Sequence, residues 1–362
     1  MKNFHPILDK RELRRRTGSM TQVAGLRRCV LADGRMRGVE AVNVRTGAGL
    51  EYTVLPGRGM DIAWTSYRGV PVSYMSSAGV SAADSYEPEG MEWLRGFYAG
   101  MLTTCGLTNV GGPCEETHPV IGRRQFGLHG RLSYLQAGEV GLCEEWTDAG
   151  YEMRVSGKLR ESIVHGENLT LRRELRSIYG SNRIEIRDVI ENEGNQPQPM
   201  MLLYHMNIGH PILSEHAKLY AASARIEGGS ELAQAELSEY DCFHAPIALQ
   251  EERCYFHKPI AGADGKSGIA VVNEELELGV LFVLKPEQLP CVTEWKMLSE
   301  GEYVLGIEPG NTHPIGRTAA REQGALCMLE PDEQREVELG IEILDGREAI
   351  DAAKAWIEGL RR

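Results

Sequence analysis

The sequence predicts a mainly β protein, one large antiparallel β-sandwich with a few peripheral helices, and three observations carry that prediction. From about residue 22 onward, short apolar runs alternate with turn residues: 29–32, then Asp33-Gly34, then 36–44, then Thr46-Gly47. Asp-Gly between apolar runs is a strong hairpin signal. The same grammar recurs in residues 169–178, Gly180-Ser181-Asn182 and residues 183–190, where Ile184 and Ile186 alternate with Glu185 and Arg187, the pattern of a sheet with one polar side. Finally, there is no βαβ alternation, no internal repeat of 20 to 50 residues and no low-complexity linker. The whole chain, residues 1–362, therefore reads as one unit.

The helices are few. An N-terminal arm, residues 1–20, holds a short charged helix or extended segment at 6–16. Residues 89–102 carry Met91, Leu94, Tyr98, Met101 and Leu102 at three- and four-residue spacing, which predicts an amphipathic helix weakened by Gly96 and Gly100. Residues 347–361, with Ile350, Ala353, Trp356, Ile357 and Leu360, predict a terminal helix.

Composition narrows the function classes. A chain of 362 residues could form two or three domains, yet large sandwiches often run as one. The net charge of −13 argues against nucleic acid or an anionic membrane as partner, since both recruit basic patches. A neutral or cationic small molecule fits better. No apolar run approaches the ~18 residues of a membrane span, and the start Met1-Lys2-Asn3-Phe4-His5-Pro6 has no signal-peptide core, so a cytoplasmic protein is expected. The eight cysteines are scattered and read as reduced thiols. Cys242, His244, Cys254 and His257 could in principle furnish a zinc site, but the C-x2-C half-site is missing, and no metal is assigned.

Three distant strings set ionisable residues among apolar ones. They are Phe126-Gly127-Leu128-His129-Gly130-Arg131, Leu203-Tyr204-His205-Met206-Asn207-Ile208 and Val304-Leu305-Gly306-Ile307-Glu308-Pro309. Read as strands, whose side chains alternate between faces, they place His129 and Arg131 opposite Phe126, Leu128 and Leu132. His205 and Asn207 fall opposite Leu202, Tyr204, Met206 and Ile208, and Glu308 opposite Leu305 and Ile307. Two imidazoles and a carboxylate on non-core faces are the parts of general acid and base catalysis. A glutamate at the end of an apolar run is costly to bury unpaired, and pairing with Arg317 or Lys296 is the alternative to a catalytic role.

The strings, together with Leu-Pro-Gly-Arg-Gly-Met-Asp-Ile at 55–62 and Trp-Lys-Met followed by Gly-Ile-Glu-Pro-Gly-Asn between 295 and 311, resemble the aldose 1-epimerase (galactose mutarotase-like) superfamily, in particular its uncharacterised aldose-epimerase-like branch. The motif order covers roughly residues 20–345. The resemblance implies a twisted sandwich with a sugar cleft on an open concave sheet. It implies Glu308 as base, His205 as acid on the opposite side of the ring, and His129 holding the sugar. It also points loosely to His257 as a sugar contact. Galactose mutarotases commonly have Asn before the second His and Tyr-Phe-Asn after it, whereas Tyr204 and Met206-Asn207-Ile208 stand here, so the sugar-facing shell differs.

Further substrate-binding candidates follow from position. Arg131 and Asn207 share the faces of the two histidines, and Trp295 could stack on a pyranose or sit in the core. Arg58 and Asp61, in a turn-like string, could bind hydroxyls or pin the turn. His210 and His313, beside Pro211 and Pro314, admit either a turn or a site role. The expected activity is cofactor-independent anomer interconversion of a free or modified sugar, with a carbohydrate as the only partner, in a monomer or homodimer. The alternatives are a metal-dependent sugar isomerase or lyase built on the same histidines and glutamate, and a non-catalytic carbohydrate-binding protein.

Overall fold

The computed structural model describes residues 6–361, so residues 1–5 of the expected N-terminal arm and Arg362 lie outside the described residues. The chain is a twisted antiparallel β-sandwich. A six-stranded sheet runs, edge to edge, through Ser223–Gly228, Arg253–Pro259, Cys291–Ser299, Glu302–Gly310, Met201–Ile208 and Thr103–Leu107. An eight-stranded sheet runs from Ala217–Ala221 to Gly138–Thr147, with Gln334–Asp345 and Arg183–Asn192 at its centre. A five-stranded N-terminal sheet, Gly25–Val30 through Val70–Pro71, joins the six-stranded one through bridges Ile62 to Leu102 and Ser73 to Ile208.

One apolar core joins the inner faces of all three sheets, with Val42 and Val54, Leu171 and Ile186, and Tyr204, Met206 and Ile307 among its members. Leaving one such side chain in water would forfeit about 1.5–3 kcal/mol, so strand phase is strongly fixed wherever it feeds this core. Residues 201–208 obey the predicted alternation: Leu202, Tyr204, Met206 and Ile208 enter the core, and His205 points away. The C-terminal helix, Arg347–Leu360, lays Ile350, Ala353 and Ile357 on the outer face of the eight-stranded sheet. Gly268 beneath it admits Trp356, whose ring a Cβ would meet at 2.2 Å.

Some local expectations give way. The charged N-terminal segment forms only a five-residue helix, Lys10–Arg14. The Asp33-Gly34 signal does mark an antiparallel pair, but the connection contains a 3-10 turn, Gly34–Met36, and the next strand starts at Glu40. The helix expected over 89–102 is absent. Only a 3-10 turn, Glu92–Gly96, forms, because Gly90, Ala99 and Gly100 take positive φ, which no α-helix tolerates. Met91 and Leu94 of the supposed apolar stripe are exposed, at 52% and 47%.

Candidate active site

The register of the six-stranded sheet builds the site from residues far apart in the chain. Met206 pairs with Ile307 and Leu203 with Gly310, which sets His205 directly opposite Glu308. Glu308 pairs in turn with Thr293, and Thr293 with Phe256. Directly paired residues share a face, so Thr103, His205, Glu308, Thr293 and Phe256 form one row across the outer face of the sheet. A second row, Asn207, Gly306, Trp295 and Cys254, lies beside it.

His205 and Glu308 touch: Nε2 lies 3.2 Å from a carboxylate oxygen, with the residues 5% and 3% exposed. The two do not stand apart on opposite sides of a ring-sized gap, as the resemblance implied, because directly paired residues on adjacent strands bring Cβ atoms within about 5.5 Å. Gly306 makes room for the contact. A Cβ there would lie 2.8 Å from the Glu308 carboxylate, 3.1 Å from the His205 ring and 3.2 Å from the Trp295 indole. The indole lies across that space and meets His205 edge-on at 5.3 Å.

His129 joins the pair, though not from a strand. The strand ends at Phe126, and His129 sits in a left-handed turn at φ +56°, a conformation in which histidine is several-fold enriched among non-glycine residues. Gly130 follows at φ +69°, where a Cβ would fall 2.5 Å from the Gly106 carbonyl. The Gly111 N–H donates to His129 Nδ1 at 3.3 Å, and His129 N–H donates to the Gly111 carbonyl at 3.0 Å. With Nδ1 accepting, the neutral ring carries its proton on Nε2. The His129 and His205 rings are 6.1 Å apart. The 3-10 turn that replaces the expected helix roofs them, Trp93 at 5.0 Å from His129 and Phe97 at 5.0 Å from His205.

Burial without counter-charge sets the protonation states. Desolvation lowers His129 to about 4, and desolvation followed by His129 lowers His205 to about 3. Burial, then the charge of Glu252, pushes Glu308 well above the usual carboxylate range. Burial thus favours the neutral form of each partner, the carboxylic acid at Glu308 and the uncharged imidazole at His205. At the other end of the row, His313 stacks on Phe256 at 4.3 Å and pairs through Nδ1 with the Thr293 hydroxyl at 3.1 Å. Burial, then His257, lowers His313 to about 4. Thr293, Phe256 and Gly306 were not read from the sequence, although alternation from Trp295 puts Thr293 on its face.

Several predicted contacts do not reach the His205–Glu308 pair. Arg58 is fully buried and donates to the carbonyls of Ser133, Ser81 and Gly96, with Tyr134 stacked at 4.0 Å, so it pins the turn. Asp61 is buried in an ion pair with Arg173 at 3.1 Å. Asn207 shares the outer face of the sheet but is buried, donating to the carbonyls of Gly100 and His205. Arg131, its side chain 48% exposed, leans over Tyr86 toward Glu161. His257 alternates with Phe256, so it points through the sheet to the other side and bonds Glu294 at 3.0 Å and Ser223 at 3.0 Å. Trp295 alone of the six flanks the pair.

No three ligating side chains converge on a metal-sized point among the described residues. His244 is tied to Ala245 and Gln250, and His257 to Glu294, so the Cys/His set of 242–257 is dispersed. All eight cysteines are free. A cavity of about 790 Å³ opens elsewhere, on the N-terminal sheet beside Trp64 and Asn43, and none of the acid-base residues line it.

No curated protein matches the chain in sequence. Residues 36–343 match the family model described as a domain of unknown function, DUF4432. A crystal structure from Klebsiella pneumoniae subsp. pneumoniae, of a protein provisionally named aldose 1-epimerase, superposes with a TM-score of 0.86 at 26% identity, over 93% of this chain and 88% of that one. A galactose mutarotase-like protein from Clostridium acetobutylicum gives 0.61 at 11% identity, over 90% and 99%. The galactose 1-epimerase of Lactobacillus acidophilus gives 0.58 at 10%, over 90% and 100%. At those two identities the likeness concerns the fold alone. The chain belongs to the DUF4432 family, within the aldose 1-epimerase (galactose mutarotase-like) superfamily whose sandwich it shares.

Proposed function

We propose that the protein is a cofactor-independent aldose 1-epimerase-like isomerase, interconverting the anomers of a free sugar by acid-base ring opening at His205 and Glu308. The observation that carries this reading is their 3.2 Å contact in a buried setting. A hemiacetal carries its hydroxyl and its ring oxygen on the same carbon. An acid and a base side by side therefore suit it: the two sugar oxygens take the place of the direct contact.

In the reverse of the roles the resemblance implied, Glu308, in the protonated form its burial favours, gives its proton to the ring oxygen while the uncharged His205 takes the proton of the C1 hydroxyl. The bond from C1 to the ring oxygen breaks, C1 becomes an aldehyde, and no electron leaves the system. Rotation about the C1–C2 bond and the reverse proton transfers close the ring on the other face. The Nε2 proton of His129 is free to hold a sugar oxygen, and the roof of Trp93 and Phe97 keeps the groups dry. A water-poor setting strengthens such hydrogen bonds.

The test is an anomer-exchange screen by NMR over free aldoses, ketoses and uronic acids. Acceleration of at least one sugar, lost in His205→Asn, is expected. A panel exchanging at the background rate throughout would leave a non-catalytic carbohydrate-binding protein as the better account.

A further inference from the structure

The Trp295 indole does more than lie beside His205. Its Nε1–H donates to a carboxylate oxygen of Glu252 at 2.7 Å, which fixes an exposed acidic side chain beside the indole that flanks the pair. Glu252 precedes the strand Arg253–Pro259, and Cys254, two residues on, pairs directly with Trp295. The adjacent Arg253 does not neutralise it, because that guanidinium is committed to Glu236 at 2.7 Å. Among the described residues neither Glu252 nor Glu308 is paired with a lysine or an arginine. The nearby Lys296 points away, donating to the carbonyls of Glu239, Tyr240 and Cys242. The Glu252 carboxylate is thus held against the indole that flanks His205, with no lysine or arginine salt-bridged to it among the described residues.

Building on the proposed sugar site, we infer that Glu252, held by the Trp295 indole, is a specificity-determining residue that selects neutral sugars over anionic ones such as uronic acids. Its carboxylate repels a second anion, and it also favours the protonated form of Glu308. Repulsion of this kind is strong where solvent is excluded and is screened by salt.

Methyl glycosides provide the test, since a locked acetal binds without exchanging anomers. Affinities of paired methyl glycosides and methyl glycuronides of the gluco, galacto and manno series are measured by saturation-transfer NMR. The wild type is expected to favour the neutral member roughly tenfold at low salt. Glu252→Gln brings the ratio close to one, Glu252→Lys reverses it, and Trp295→Phe, which frees the carboxylate, narrows it. About 1 M salt, with a Debye length near 3 Å, shrinks the wild-type ratio as well. A wild-type ratio near one, an unchanged ratio in Glu252→Gln, or no binding of any pair would overturn the inference. Glycosides bound at the expected ratio while free sugars exchange at the background rate would instead end the isomerase proposal and leave this inference standing.

Discussion

Tyr204 and His205 are neighbours on one strand, and the two sides of that strand end in opposite kinds of buried polar cluster. On the inner side, the Tyr204 hydroxyl donates to Asp188 at 2.7 Å, and Asp188 pairs with Arg173 at 2.6 Å. Arg173 also bonds Asp61 at 3.1 Å and Thr104 at 2.9 Å. There charge answers charge, with two carboxylates sharing one guanidinium, so that burial still pushes Asp61 up to about 6. On the outer side, His205 and Glu308 are buried and His129 is half-buried, no lysine or arginine is paired with them among the described residues, and burial lowers the two histidines and raises Glu308. The difference separates a charge-paired cluster that holds the sandwich together from an uncompensated one of the kind that the proposed proton transfer needs.

The largest effect that would sharpen this contrast is on stability. Arg173→Met strands two buried carboxylates and should lower the unfolding free energy by roughly 3–5 kcal/mol in chemical denaturation. Glu308→Gln removes no counter-ion partner and should change it by less than about 1 kcal/mol. Equal losses in the two variants would break the comparison.

Acid should act next. His129 and His205 have folded pKa values depressed to about 4 and about 3. Depressed values mean that the stability tied to their neutral forms is whole above the unfolded value near 6.5 and drains as pH falls through 4 to 3. Denaturation midpoints followed from pH 7 to 3 should drop more steeply in the wild type than in a His129→Gln, His205→Gln double variant. Parallel curves would place the acid sensitivity elsewhere.

A smaller effect concerns Gly306, which makes room for the pair. Gly306→Ala puts a methyl group against Glu308, His205 and Trp295 at once and should cost about 1–3 kcal/mol in stability as overpacking. Anomerisation should slow about tenfold through displacement of the pair. A folded variant with the wild-type rate would show that the 3.2 Å contact is dispensable. Exhaustive chelation should have no effect at all on the rate, and restoration of a lost activity by zinc, manganese or iron would favour a metal-dependent isomerase.

How much of this was legible depended on whether a signal was local. Strand phase along 201–208 and 302–310 was enough to turn His205 and Glu308 away from the core, because burial of their alternate neighbours fixes it. His129 came to lie beside His205 by a left-handed turn rather than by strand phase, so its position was expected for a partly wrong reason. Arg58 misled because an arginine between two glycines reads the same whether it binds a ligand or caps carbonyls. Phase also separated His257 from Phe256, but which side was the cleft required the pairing of Phe256 with Thr293 and Glu308. Gly306, Glu252 and the Arg173 cluster depend on partners many residues away, and cross-strand register is not written in any single segment.

The central claim is that Glu308 exchanges a proton with the sugar, and Glu308→Gln tests it most directly. The amide keeps the side chain's size and its hydrogen bonding but cannot transfer that proton. On a sugar that the wild type accelerates, exchange measured by NMR should slow by roughly 10²-fold or more while methyl glycoside binding persists. Exchange at the wild-type rate would contradict the claim and make Glu308 a structural residue.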